Sequence, residues 1–108
     1  MNRFLAVAAA LALAGTAQAA GNAEAGKSKA AQGCAACHGA EGNKPTAPEN
    51  PILAGQHRDY LVKALQDYKA GKRSNAIMKG FAATLSGQDM EDLAAWFASQ
   101  KSNLHFQR

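Results

Sequence analysis

The chemistry of this chain is concentrated in five residues, Cys34-Ala35-Ala36-Cys37-His38. Two thiols separated by two residues and followed at once by an imidazole form the pattern for covalent attachment of a c-type haem. Each thiol can form a thioether to one vinyl group of the porphyrin, and the histidine beside them can reach the iron as an axial ligand. Two other chemistries use a cysteine pair. A structural zinc site wants four ligands, and His57 and His105 are not arranged as a second ligand pair. A thioredoxin-like redox pair sits at a strand–helix junction in an αβ pattern, which this sequence lacks. Haem attachment uses the pair together with His38 and requires nothing further of the sequence.

A haem iron has a second axial position, for which thioether and imidazole are the obvious protein donors. The candidates are Met78, Met90, His57 and His105. Met90 falls on the apolar stripe of a helix, where a methionine serves the core. His57 stands at the polar start of a helix and His105 in the tail. Met78 lies between Ile77 and Lys79-Gly80 in a stretch without period, free to approach a metal from a side that no helix occupies. It is the expected ligand. A ligating histidine normally donates its other ring N–H to a fixed acceptor, and the carbonyl of Pro51, where proline rigidifies the chain, is the candidate.

The elements that must position these groups are helical. Asn22 caps a first helix over about 23–32, with Glu24 in its favourable first turn. Gly26 inside that helix costs about 1 kcal/mol against alanine; close approach of another helix would be a reason for it, simple tolerance is the alternative, and the residues alone leave the choice open. Gly39 to Pro51 is rich in Gly, Pro and Asn and poor in large apolar side chains, which predicts a loop over the surface. Pro51-Ile52-Leu53-Ala54-Gly55 then returns apolar residues to the core.

From about His57 to Ala70, Tyr60, Leu61, Ala64, Leu65 and Tyr68 share one helical face, with Gly71 as the C-terminal cap. Ser74 to Leu85 reads as a second irregular segment containing about one helical turn. Ser86-Gly87-Gln88-Asp89 matches a capping box, with Leu85 placed to staple against Met90. The helix that follows buries Met90, Leu93, Ala94 and Phe97, carries Trp96 at the edge of that stripe, and ends near Gln100. With no strand of any length, the fold class is all-α, three main helices separated by two long loops. Loops that long in so small a domain usually have a job, and wrapping a flat cofactor would be one.

Length and composition set further bounds. Met1-Asn2-Arg3, the apolar run Phe4 to Ala14 and the small residues around Ala17-Gln18-Ala19 have the layout of a secretory signal peptide. That run is shorter than the roughly 20 residues of a spanning helix. The expected organisation is therefore a cleaved signal over 1–19 and one domain over 20–108, exported and without stable membrane insertion. A domain of this size buries only roughly 60–65% of its unfolded surface, a deficit that a covalent apolar cofactor would offset better than a Cys34–Cys37 bridge closing so short a loop. The formal net charge is +4, but the basic residues are scattered, without the dense run of a nucleic-acid binder. They read either as a solvated surface or as lysines ringing a haem edge and steering an acidic redox partner.

Taken together, these features resemble the class I c-type cytochromes, in particular the small bacterial cytochromes of the c-553 kind and single halves of two-haem relatives. The likeness runs through Gly33-Cys34-Ala35-Ala36-Cys37-His38-Gly39, Pro51-Ile52-Leu53-Ala54-Gly55-Gln56, Tyr60-Leu61 to Tyr68-Lys69-Ala70-Gly71, Ile77-Met78, Leu85-Ser86 and Leu93-Ala94-Ala95-Trp96-Phe97. It implies the class I cytochrome c fold around one haem c, thioethers at Cys34 and Cys37, iron ligation by His38 and Met78, orientation of His38 by Pro51, and packing of Leu53 on the haem. It also implies that Gly26 lets the last helix cross closely at Leu93 and Trp96. The implied function is that of a periplasmic single-electron carrier, not an enzyme, exchanging electrons with membrane oxidase, reductase or dehydrogenase complexes. The alternative is a haem c subunit or gas sensor with a displaceable sixth ligand.

Overall fold

The computed structural model describes residues 21–102. The signal-peptide segment and His105 lie outside the described residues. Among the described residues five helical segments follow one another: α1 (Ala23–Ala30), α2 (Ala35–His38), α3 (Arg58–Ala70), α4 (Ala76–Ala82) and α5 (Gly87–Ala98). No strand occurs among the described residues. The main packing contacts are α1 on α5, α3 on α5 and α3 on α4.

Helix α5 is the centre of the core because its apolar stripe is longest. Met90, Leu93, Ala94 and Phe97 are all buried and meet Leu61 and Val62 of α3, Ala30 of α1, and Leu85. Trp96 is partly buried against this cluster. The capping box forms as the sequence predicts: Asp89 N donates to Ser86 Oγ at 3.0 Å, and Ser86 N to Asp89 Oδ2 at 2.9 Å. The bond from the Ser86 backbone, helped by nearby Lys29, holds the Asp89 carboxyl below the usual carboxylate range. The stabilisation linked to that shift is present above the ordinary aspartate value of about 3.9 and is lost as pH falls through the lower folded value. Ser86→Ala should cost about 1 kcal/mol, measured as a lower denaturant midpoint with an unchanged slope.

Gly26 has a structural cause. A Cβ added there would land on the Asp92 backbone carbonyl and come within 2.9 Å of the Trp96 Cβ. Helices α1 and α5 therefore cross nearly backbone to backbone, and Asn22 N ties the same end by donating to Asp92 Oδ1 at 2.8 Å.

The structure differs from the sequence reading in four places, the first being α2, a helical turn at Ala35–His38 that the three-helix reading lacks. Helix α1 stops at Ala30 rather than near Gln32, because Gln32 N and Gly33 N bond to Lys29 O and Ala30 O in a tightened turn. Helix α5 stops at Ala98 rather than near Gln100; Ser99 N and Gln100 N bond three residues back to Trp96 O and Phe97 O. Ser74 to Leu85 is not an irregular segment with one turn but holds a capped helix of two turns, α4, in which Asn75 Oδ1 accepts from Ile77 N and Met78 N at 3.0 Å each. Its helical spacing was hidden because Ile77 and Phe81 stay exposed and only Ala82 enters the core. Met78 consequently sits on a helix and not in a free loop.

Candidate functional site

One helical turn, α2, gathers the attachment motif: His38 N bonds to Cys34 O at 3.0 Å, which sets Cys34, Cys37 and His38 along a single short segment. His38 is 6% exposed. Its Nδ1 lies 2.9 Å from the carbonyl oxygen of Pro51. A carbonyl only accepts, so Nδ1 carries the proton, and Nε2 is left with the lone pair that a metal needs.

The loop after α2 does more than cover the surface. Thr46 N and Asn50 Nδ2 both donate to Cys37 O, at 3.0 and 3.1 Å. Asn50 directly precedes Pro51, so one short segment grips the end of α2 twice, by its backbone and by the imidazole. Gly42 is buried, and its carbonyl accepts from Leu53 N at 2.8 Å and Ala54 N at 3.1 Å. Trp96 Nε1 donates to Ala40 O at 3.0 Å, fastening α5 to the chain two residues beyond His38. Sequence patterns did not reveal Thr46, Gly42 and Asn50 as supports of the site, since such contacts follow from loop geometry rather than period. The adjacency of Asn50 to Pro51 was the one available signal.

Cys34, Cys37, His38, Pro51, Leu53 and Met78 line one cleft of about 250 Å³. Every residue singled out from the sequence for this site is thus brought together. The remaining wall is mostly apolar, from α3 (Leu61, Leu65) and α5 (Leu93, Phe97). The rival ligands are elsewhere: Met90 is in the core and outside the cleft lining, and His57 is the exposed N-terminal cap of α3.

Cys34 and Cys37 are not joined in a disulfide. Burial pushes the Cys34 thiol up, the nearby Cys37 adds to this, and a backbone hydrogen bond works against it. Among the described residues no three His, Cys, Asp or Glu side chains converge to hold a metal ion. What converges is a cysteine pair, an oriented imidazole and a thioether around an apolar cleft, which is the donor set for a covalently held haem.

Residues 23–101 match the family model described as cytochrome c. The chain belongs to the cytochrome c family. Its helices have the class I cytochrome c fold, and its cofactor is covalently bound haem c with iron. Cytochrome c4 of Pseudomonas aeruginosa is 54% identical over 94 residues, covering 87% of this chain and 46% of that protein. A thiosulfate dehydrogenase electron acceptor of Stutzerimonas stutzeri is 44% identical over 70 residues, covering 65% of this chain and 32% of that protein. The crystal structure of reduced recombinant cytochrome c4 from Pseudomonas stutzeri superposes with a TM-score of 0.72 at 49% identity, over 79% of this chain and 48% of that one. This cytochrome spans about half the length of the cytochrome c4 relatives it matches.

Proposed function

We propose that the protein is a single-haem, single-electron carrier of the periplasm, with its iron held between His38 and Met78. The observation that carries this is the cleft itself, where His38 is buried, aimed by the Pro51 carbonyl at 2.9 Å, and shares the lining with Met78. Cys34 and Cys37 would anchor the porphyrin by two thioethers, and Leu53 would pack against the ring. When bound, the haem supplies a one-electron Fe(III)/Fe(II) couple.

The residues of the chain explain why such a site would pass electrons rather than transform a substrate. His38 and Met78 would both hold the iron, which would leave no coordination site for a reactant. A thioether in place of a second imidazole raises the potential. The apolar walls supplied by Leu61, Leu65, Leu93 and Phe97 exclude water. The sequence carries one attachment motif, hence one haem in these 108 residues.

Export to the periplasm rests on the N-terminal layout, and no helix among the described residues is long and apolar enough to cross a membrane. The partners would be redox proteins, met through scattered surface lysines, and the electron-acceptor role named for the Stutzerimonas stutzeri relative is of this kind.

Two measurements on the haem-loaded protein test this reading. Acid-extracted, denatured polypeptide should keep its haem absorbance, and a potentiometric titration should give a single one-electron wave. Complete loss of absorbance from the polypeptide would leave a thiol or zinc protein instead.

A further inference from the structure

Helix α4 is anchored unevenly. Near its C-terminal end Ala82 and Leu85 are buried. Leu85 N bonds to Ala82 O at 3.0 Å, and Lys69 Nζ of α3 donates to Leu85 O. Phe81 also reaches the attachment motif, since a Cβ added at Gly33 would lie 2.8 Å from its ring. Before the N-terminal end, Arg73 is tied to α3 by its backbone N–H, 3.2 Å from Asp67 O, and by a guanidinium stacked 4.9 Å from the Tyr68 ring centroid. Ser74, Asn75, Ala76 and Ile77 then follow in the open, Ile77 at 67% exposure.

Met78 belongs to this less anchored end. It is the third residue of a helix of seven, in the first turn, where backbone N–H groups have no partner within the helix. A helix this short does not hold itself in water. Packing does little to make up the deficit, because Ala82 is the one residue of α4 that enters the core. The turn is held by one side chain. Asn75 Oδ1 accepts from Ile77 N and from Met78 N at 3.0 Å each, and Asn75 O accepts from Lys79 N at 2.9 Å.

The side-chain caps of α1 and α5 stand in another setting. Four residues after Asn22 and Ser86 come the buried Gly26 and Met90, whereas four residues after Asn75 comes the exposed Lys79. Packing would back up the first two caps, but not the third.

We propose that Asn75 is the positioning residue of the sixth ligand: its carboxamide oxygen keeps the first turn of α4 wound, and with it the Met78 thioether in the cleft. The inference rests on the haem reading given above. Removing one cap of this kind shifts a helix equilibrium by about fivefold. In α5 that shift falls on a helix packed into the core. In α4 it falls on the turn that carries Met78, so it shows as detachment of the methionine while the rest of the fold persists.

Asn75 also lines the cleft, so the test separates its oxygen on the α4 backbone from an amide acting inside the cleft. Asn75→Ser keeps a capping oxygen and loses the amide, while Asn75→Gln keeps the amide and loses the cap. The oxidised holoprotein is titrated with guanidinium chloride while the methionine–iron charge-transfer band and the helix signal are followed together. Asn75→Ala and Asn75→Gln should lose the band at lower denaturant than the wild type, with about fivefold more detached methionine at a given concentration. The gap between the band and helix midpoints should widen in both. Asn75→Ser should keep the wild-type gap, and Ser86→Ala should lower the helix midpoint without widening it. Should Asn75→Ala fail to accumulate, Asn75→Gln and Asn75→Ser decide the matter. Band and helix signal that fall together in the Asn75 variants, or that superimpose on the wild type, overturn the positioning role alone. So does a band that survives in Asn75→Gln and is lost in Asn75→Ser, which would place the action of Asn75 inside the cleft. A haem-loaded wild type that never shows the band overturns the ligation by Met78, and the role of Asn75 with it.

Discussion

Replacing Gly26 with valine should separate α1 from α5 and destabilise the holoprotein by about 3 kcal/mol or more, a large share of the total stability of a domain this small. The new Cβ would fall on the Asp92 carbonyl and within 2.9 Å of the Trp96 Cβ. These atoms belong to the backbone or its first branch, so no flexible side-chain end can swing away. The whole crossing must open, with loss of the Asn22–Asp92 hydrogen bond at 2.8 Å and the Lys29–Asp89 pair at 3.6 Å. Gly80→Ala is the matching control, because a Cβ at that position of α4 meets nothing within 4 Å. There the better helix propensity of alanine should leave stability unchanged or raise it by up to about 1 kcal/mol. Thermal unfolding followed by the helix signal separates the two, and similar midpoints for both variants would refute the close crossing.

The second large effect distinguishes the methionines. Met78→Ala should abolish the methionine–iron charge-transfer band of the oxidised protein, lower the potential and let carbon monoxide bind the reduced form. The fold should survive, since Met78 is only partly buried. Met90→Ala should do the reverse. Met90 is 3% exposed within the core cluster, and truncating a buried methionine costs about 2–5 kcal/mol, so its unfolding midpoint should fall while the band persists. The opposite pattern would mean that the iron is held by the other methionine.

Much of this site was legible in the sequence because its parts are coded locally. Cys34, Cys37 and His38 need only one helical turn to act together, and α2 provides it. Helix α5 declared itself by its capping residues, Ser86 and Asp89, and by a stripe that does become the core. Gly26 is ambiguous in the sequence, since a close crossing has no signature on one helix alone. Helix α4 has no legible period because its large apolar residues, Ile77 and Phe81, face the cleft and not the core; the usual periodic signal assumes burial by protein. The grip of Asn50 on Cys37 and the stacking of Arg73 on two tyrosines depend on how loops fold back, and nothing in their spacing announces them.

His38 and Met78 are proposed to share one iron. The most direct measurement is the red-region optical spectrum of the oxidised holoprotein, followed by carbon monoxide addition after reduction. The predicted result is a weak methionine–iron charge-transfer band and no carbon monoxide complex. Absence of the band together with ready carbon monoxide binding would contradict it, and would leave the sixth position open for a ligand other than Met78.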